Sequence, residues 1–165
     1  MSRREAALLS TLRSPSCLTD SFNPLDSCNG LLLCRRFETA YSRAFDYVVC
    51  NPATEKWVAL PGLFSKIQTA RLGFDPAVSS HFHVFQFLND GDGHVKGVEI
   101  YSSETGAWSH KDSGWGFPAR ITSISAFCNG FLYLVAIWSA VVAVDVEGTT
   151  LGGLFLCHAI RLALK

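Results

Sequence analysis

The sequence repeats itself, and the spacing of the repeats restricts the folds that the chain can adopt. The stretch VCNPATEKW (49–57) aligns with IYSSETGAW (100–108), each a hydrophobic run that meets a polar turn and then a Trp. The two Trp lie 51 positions apart. A second match, SCNGLLL (27–33) with FCNGFLY (127–133), is offset by 100 positions, close to twice the first spacing. Two matches on one period indicate a chain built from repeated units.

Each repeat has the local pattern of short β-strands separated by turns. Runs rich in β-branched and aromatic residues, such as 45–50 and 82–88, end at Asn-Pro or Asn-Asp-Gly sequences that favour turns. Helical periodicity is weak, and its best candidates are 3–12 and the end of the chain. The apolar run 131–144 has 14 residues. A membrane-spanning helix needs about 20, so we interpret the run as two buried strands.

A period of about 40–50 residues with four short strands is typical of a β-propeller blade. Such a blade has two apolar faces that it cannot cover alone, so blades stack around an axis. We therefore predict an all-β fold, an incomplete β-propeller of about three four-stranded antiparallel blades at 26–61, 70–110 and 121–146. By the repeat, the third blade needs a Trp near position 151, where the sequence reads TLGG. We expect its fourth strand to be missing or replaced.

Eight residues mark the repeat, and we expect them to serve its architecture rather than a ligand. The Asn-Gly pairs supply the positive φ of the turn between the first and second strands of a blade. Each Trp is expected to pack between blades. The eight residues are Asn29, Gly30, Asn51, Pro52, Trp57, Trp108, Asn129 and Gly130.

The composition excludes several classes of protein and of partner. The chain has 165 residues with 14 Lys+Arg and 14 Asp+Glu. Its formal net charge is zero, so it lacks the positive charge that would attract nucleic acid or an anionic membrane. With 48% hydrophobic and 17% charged residues it is too apolar for a disordered chain. The six Cys are too sparse for a disulfide scaffold, and neither a signal peptide nor an Asn-x-Ser/Thr sequon is present. We therefore predict a cytoplasmic or nuclear protein, neither secreted nor membrane-spanning.

No sequence pattern predicts a catalytic site, a cofactor or a metal. The DGDG sequence at 90–93 resembles the start of a Ca²⁺ loop, but no Glu follows at the twelfth position. His81 and His83 share a strand face without further zinc ligands, and Cys28 and Cys34 are better explained as buried thiols. Neither a phosphate-binding Gly loop nor a Gly-x-Ser-x-Gly sequence is present. We predict a protein that is not an enzyme and has no evident small-molecule ligand.

Five stretches resemble the F-box-associated, kelch-like propeller region of plant F-box proteins, in the same order and spacing. They are SCNGLLLC (27–34), YVVCNPATEKWVALP (47–61), RLGFDPAVSSHFHVFQF (71–87), VEIYSSETGAWSH (98–110) and FCNGFLYLV (127–135). The resemblance implies a non-enzymatic protein-interaction module, similar to the substrate-recognition domain of an SCF-type ubiquitin ligase. Its partner would be a protein substrate.

The chain departs from the family pattern at both ends. The 26 residues before Ser27 lack the Leu-Pro opening and the Trp-rich end of an F-box, so we expect 1–26 to be a non-propeller segment, disordered or a short helix. We expect the partial propeller at 27–148 and a divergent tail at 149–165. The ligase adaptor subunit would then be a partner only where an F-box is restored.

Loops on one rim of the propeller are the expected binding surface, because strand ends converge there and tolerate sequence change. The candidate loops are 38–43, 62–69 and 112–118, and Trp115 and Phe117 in the last one are candidate anchors for a partner. Packing of Trp115 between blades is the competing interpretation. Two other hypotheses stay open: a truncated gene product without independent function, and a propeller enzyme that needs convergent polar residues from several blades.

Overall fold

The computed structural model describes residues 22–37, 41–62, 68–112, 120–137 and 140–151, and their regular structure is entirely β. The first sheet contains β1 (Phe22–Cys28), β2 (Leu31–Phe37), β3 (Phe45–Asn51) and β4 (Lys56–Ala59). The second contains β5 (Thr69–Gly73), β6 (His83–Asn89), β7 (Val95–Ser102) and β8 (Ala107–Asp112). The third contains β9 (Ile121–Cys128), β10 (Phe131–Ala136), β11 (Ala140–Asp145) and β12 (Thr150–Leu151).

Each sheet is an antiparallel meander in which strands that follow one another along the chain are hydrogen-bonded neighbours. The prediction of an all-β, incomplete propeller of about three four-stranded antiparallel blades is therefore confirmed. Within the described ranges, no helix is long and apolar enough to cross a membrane.

The first sheet begins earlier than expected. Strand β1 starts at Phe22, so residues 22–26 belong to the sheet rather than to a segment before it. Asn23 pairs with Arg35 and Pro24 with Cys34. Because β1 is an edge strand, Pro24 can lack a backbone donor there without breaking a central ladder. The Pro hid this strand from the sequence pattern.

The third sheet has a fourth strand where we expected one to be missing or replaced. Strand β12 is two residues long, and its Leu151 pairs with Ala143. This is the second paired position of the hairpin, the register that Trp108 holds opposite Tyr101 in the second sheet. The Asp145 carboxylate accepts hydrogen bonds from the backbone N–H groups of Glu147 and Thr149, at 3.0 and 2.7 Å. Because these hydrogen bonds close the turn between β11 and β12, the fourth strand forms without a Trp at its start.

The second sheet supplies both hydrophobic cores, because alternate residues of a strand face opposite sides. One core lies between the first and second sheets and joins residues such as Leu33 and Tyr47 to Leu72 and Val84. The other lies between the second and third sheets; it contains Phe85, Phe87, Val98, Ile100, Leu132, Leu134, Val142 and Val144. Neither core is contained within one sheet, so each sheet depends on its neighbour.

The innermost strands of the three sheets lie side by side, joined by polar contacts. The Asp26 carboxylate accepts the backbone N–H of Leu72 at 2.8 Å, and the Asn29 side chain donates to the Phe74 carbonyl at 2.7 Å. Arg71 Nη2 donates to the Thr122 carbonyl at 3.2 Å. These contacts link β1 to the end of β5, and β5 to β9.

The stack has two rims of different construction, because successive connections of a meander alternate between the two ends of each sheet. The turn rim carries the connections after the first and third strands of each sheet: 29–30, 52–55, 74–82, 103–106, 129–130 and 146–149. The loop rim carries the connections after the second and fourth strands; its described residues are 41–44, 60–62, 68, 90–94, 120 and 137. The described residues of the predicted loops 38–43 and 62–69 belong to the loop rim, whereas 113–118 of the third predicted loop lie outside the described residues.

Gly73 permits the close approach of the second and third sheets. A Cβ at this position would lie 2.7 Å from the Phe127 ring and 2.9 Å from the Phe85 ring. We expect Gly73→Ala to lower the free energy of unfolding by about 1–3 kcal/mol, the usual cost of overpacking a core. Denaturant unfolding of the purified chain measures this change.

The matched control is Gly91→Ala, because a Cβ on Gly91 meets no atom within 4 Å. We expect that variant to stay within about 0.5 kcal/mol of the original chain. Equal unfolding midpoints for the two variants would contradict the close packing described at Gly73.

Candidate functional site

A cleft of about 370 Å³ opens near the loop rim, where the innermost strands of the three sheets meet. The first sheet contributes Leu25 and Arg35 to its lining. The second contributes Arg71, and the third contributes Thr122 and Ser123. The cleft is therefore a product of sheet stacking, and no single sheet contains it.

Arg35 lies on the face of β2 that packs against the second sheet, and it is 7% exposed. Its Nη2 donates to the backbone carbonyl of Gln68 at 2.5 Å. Its guanidinium also lies over the Phe45 ring, 5.2 Å from the ring centroid. Burial raises the pKa of the neighbouring Tyr47 hydroxyl, and the Arg35 charge opposes that effect. The Arg35 side chain is thus fixed in position by backbone and aromatic contacts.

Arg71 lies on β5 and is 8% exposed. Its Nη1 donates to the Ala70 carbonyl at 2.8 Å and its Nη2 to the Thr122 carbonyl at 3.2 Å. Both acceptors are neutral backbone groups. Arg71 therefore bridges the second and third sheets, and neither of these two acceptors neutralises its charge.

The two guanidinium groups are buried positive charges without an ion-pair partner in the described residues. The Nε atoms of Arg35 and Arg71 are buried and have no hydrogen-bond partner in the described part of the chain. Within that part, the ion pairs involve Arg36, His94, Lys96 and His110 rather than Arg35 or Arg71. Buried charges are normally paired, because desolvation of an unpaired charge is costly. The cleft is thus lined by two guanidinium groups whose charges no described ion pair balances.

Tyr41 is the most exposed large hydrophobic side chain of the loop rim that the structure describes, at 97%. It lies between β2 and β3, within the predicted loop 38–43. The Ser42 hydroxyl accepts the backbone N–H of Ala44 at 3.1 Å and holds the adjacent turn. An exposed aromatic side chain next to an ordered turn is suited to contact a partner.

The eight residues that mark the repeat lie on the turn rim or beside it, and none of them lines the loop-rim cleft. The Asn-Gly pairs form two-residue turns with positive φ: 45° and 86° at Asn29 and Gly30, and 51° and 80° at Asn129 and Gly130. Pro52 follows Asn51, whose side-chain oxygen accepts the backbone N–H of Ala53 at 3.0 Å. These contacts stabilise hairpins.

The two repeat Trp have different surroundings. Trp108 packs against Tyr47 of the first sheet, with ring centroids 6.2 Å apart, and its indole N–H donates to the Pro61 carbonyl at 2.7 Å. Trp57 has its described aromatic and cationic contacts within its own sheet, to Phe22 at 6.4 Å and to Arg36 at 5.6 Å. Trp108 thus joins two blades.

Some sequence-based candidates cannot be compared with the structure, and others were missed. Trp115 and Phe117 lie outside the described residues. Arg35 and Arg71 were not singled out as site residues, although their sequences contain a signal. In LLLCRRF, Arg35 alternates with Leu33 and Phe37, and in TARLG, Arg71 stands between the core residues Ala70 and Leu72. A charged residue at a core position indicates a functional or strained site.

A second cavity, of about 460 Å³, lies at the turn rim between the second and third sheets. Its lining includes the apolar side chains of Ile100 and Phe127 and the carboxylates of Glu104 and Glu147. His83 also lines it; burial lowers the pKa of its imidazole, and the two Glu charges oppose that shift. The two rims thus carry cavities of opposite charge.

Asp90, Asp92 and His94 form a candidate metal-ligand cluster in the described part of the chain. Their potential ligand atoms lie within 4.8 Å of one another. The Asp90 carboxylate accepts the backbone N–H groups of His94 and Asp92, at 2.9 and 3.0 Å, and these bonds lower its pKa. Lys96 Nζ lies 3.3 Å from the same carboxylate. Because local donors already stabilise Asp90, the cluster is explained as a hairpin tip.

We expect the lowered pKa of His83 to make the fold less stable in mild acid. The unfolded chain binds a proton near pH 6.5, whereas folded His83 binds it at lower pH. The free energy of unfolding is therefore unaffected by His83 above about pH 6.5, where this side chain is neutral in both states. It decreases as the pH falls below that value, because the unfolded chain then binds the proton more readily. Denaturant unfolding between about pH 7 and 5 should show a shallower pH dependence for His83→Gln than for the original chain.

The control is His110→Gln, because His110 lies on the exposed strand β8. A larger change of slope in His83→Gln than in His110→Gln would show that the effect depends on the buried position of His83 rather than on the removal of any imidazole. An unchanged profile in His83→Gln would show that His83 does not contribute to the pH dependence.

Comparison with known proteins agrees with this architecture. The F-box associated beta propeller domain matches residues 6–148, beginning upstream of Ser27, where we placed the start of the propeller. F-box protein At5g07610 of Arabidopsis thaliana is 35% identical over 94 residues, which cover 51% of this chain. The matched part spans 22% of that relative's length. With the domain match covering most of the chain and three stacked meanders in the structure, the chain belongs to the F-box associated beta propeller domain family.

Proposed function

We propose that this chain is the target-binding module of an F-box protein, which presents a protein substrate to an SCF-type ubiquitin ligase. The family match and the F-box relative support this role. In this proposal the module performs no chemistry itself. Its contribution to ubiquitination is to hold the target in place.

The observation that carries the proposal is the combination of features at the loop rim. There, the cleft with Arg35 and Arg71 opens beside strand ends contributed by all three sheets. The exposed Tyr41 belongs to the same rim. Binding surfaces of stacked repeats are commonly formed by loops that one face of the stack presents together. We therefore assign target binding to the loop rim and a structural role to the turn rim.

We propose that contact with the ligase adaptor subunit requires an F-box module, which is separate from the sheets described above. The proposed location is the cytoplasm or the nucleus. Two cysteines support this location, since Cys28 and Cys128 are free thiols within the described part of the chain, as expected in a reducing compartment.

Tyr41→Ala tests the assignment of target binding to the loop rim. Tagged full-length chain is used to capture proteins from plant cells, and a captured protein is then purified and its affinity measured. We expect Tyr41→Ala to weaken that affinity by roughly tenfold or more, because exposed aromatic anchors commonly contribute above 1 kcal/mol to an interface.

The matched control is Val78→Ala, which truncates an exposed side chain of the turn rim, 66% exposed. This variant should bind the target as the original chain does. A target that binds normally to Tyr41→Ala but poorly to Val78→Ala would place the binding surface on the opposite rim and contradict the assignment.

Fusion to a known F-box tests the role in ubiquitination. The fused chain should lower the cellular abundance of the captured target in a proteasome-dependent manner, and the Tyr41→Ala fusion should not. The unfused chain should leave the abundance unchanged. A fusion that binds both adaptor and target yet never promotes ubiquitination would argue against the ligase role.

A further inference from the structure

We infer that the loop-rim cleft binds an acidic group of the target, an oxyanion held between the guanidinium groups of Arg35 and Arg71. The inference rests on the proposed function and specifies the chemistry of the target. A carboxylate side chain and a phosphorylated side chain share this chemistry. The occupant is thus an acidic residue of a protein partner.

The first argument is the state of the two arginines. A guanidinium has five N–H donors and carries its charge at every physiological pH. The described hydrogen bonds of Arg35 and Arg71 go to the backbone carbonyls of Gln68, Ala70 and Thr122, which are neutral. Arg35 also interacts with the Tyr47 hydroxyl, which is neutral as well. Both Nε atoms are buried without a partner in the described residues. An oxyanion in the cleft would supply an acceptor to the guanidinium groups that line it, together with the negative charge that the backbone carbonyls lack.

The second argument is that two nearby acidic groups are already engaged. The Asp26 carboxylate accepts the backbone N–H of Leu72 at 2.8 Å and forms no described ion pair with Arg71. Glu99 faces the interface between the first and second sheets, where its carboxylate accepts a hydrogen bond from Gln86 Nε2 at 2.9 Å. It forms no ion pair with Arg35 or Arg71 in the described structure. The two guanidinium groups therefore keep their capacity for an external anion.

The third argument is the contrast between the two cavities. Thr122 and Ser123 line the loop-rim cleft beside the arginines and add polar groups that suit an oxyanion. The turn-rim cavity carries Glu104 and Glu147, which repel one. Because the chain has no net charge, attraction of an anion is a local property of the loop-rim cleft.

The size and charge of the cleft favour a peptide side chain over a nucleic acid. A volume of about 370 Å³ accommodates a single residue with its flanking backbone, in the lower range of ligand pockets. A nucleic-acid surface needs a stripe of basic residues along the backbone of the ligand. Two arginines in a cleft recognise one oxyanion rather than a polyanion.

The direct test uses the full chain and reads the arginine side chains themselves. Proton–nitrogen NMR resolves each Arg Nε–H, and inorganic phosphate is the first probe. We expect phosphate at millimolar concentration to shift the Arg35 and Arg71 signals saturably, with no equal shift for the exposed Arg43 and Arg120. Sodium chloride at the same ionic strength should not reproduce the shifts. Equal shifts at all four arginines would overturn the inference, as would none.

Three peptides then define the natural group. They share a neutral Gly-Ser framework and differ at the central residue, which is Glu, phosphoserine or Gln. The Glu or the phosphoserine peptide should shift the two Arg signals, and the Gln peptide should not. Whichever of the Glu and phosphoserine peptides binds with the higher affinity identifies the oxyanion that the cleft prefers. A Gln peptide that binds as well as both acidic peptides would contradict an anion site.

Two substitutions complete the experiment. Arg71→Gln should weaken phosphate binding by roughly tenfold, because one of two charge-assisted donors is removed. Arg120→Gln, which removes an equal charge from an exposed residue that does not line the cleft, should bind as the original chain does. Similar weakening in both variants would contradict a specific role for Arg71. Because the Nε measurement needs no variant, the inference stays testable if Arg71→Gln fails to fold.

The inference and the proposed function fail separately. Saturable binding of oxyanion with no effect of Tyr41→Ala on a target would establish the anion site and reject the loop rim as the target surface. A target whose affinity falls in Tyr41→Ala, combined with Arg35 and Arg71 signals that no oxyanion shifts, would support the proposed function. It would reject the inference that the cleft binds an acidic group.

Discussion

The second sheet carries buried apolar side chains on both faces of its central strands, and this two-faced character requires a neighbour on each side. Val84 and Leu72 point into the core shared with the first sheet, while Phe85 and Phe87 point into the core shared with the third. A lone four-stranded sheet cannot bury both faces. Stacking of the three sheets, the alignment of their innermost strands and the two rims all follow from this requirement.

Arg35 and Arg71 are the conspicuous departure from this apolar rule. Both are more than nine-tenths buried, in strands whose neighbouring residues contribute to the hydrophobic cores. Their backbone and aromatic contacts fix the guanidinium groups but do not neutralise them. The same stacking that buries the cores thus produces a preorganised, positively charged cleft at the loop rim. Preorganised donors lose little entropy when a ligand binds.

Local features of the fold were readily predicted, whereas contacts between distant residues were not. The hairpins at Asn29 and Asn129 were predictable, because an Asn-Gly pair tolerates the positive φ that such a turn requires. Strand β1 was partly missed because Pro24 breaks the expected pattern, and β12 because its turn depends on Asp145 rather than on a Trp. The cleft was missed because its arginines belong to strands of different sheets.

The sequence alone determined that the chain is all-β, that it consists of repeated four-stranded units, and where most turns fall. These properties depend on residues close together in the chain, whose alternation and turn chemistry are visible in the printed sequence. Only the tertiary structure decided that Arg35 and Arg71 line one cleft, and that the cavity at the opposite rim carries Glu104 and Glu147. Those arrangements depend on how separate sheets pack, and packing is governed by contacts between residues far apart in sequence.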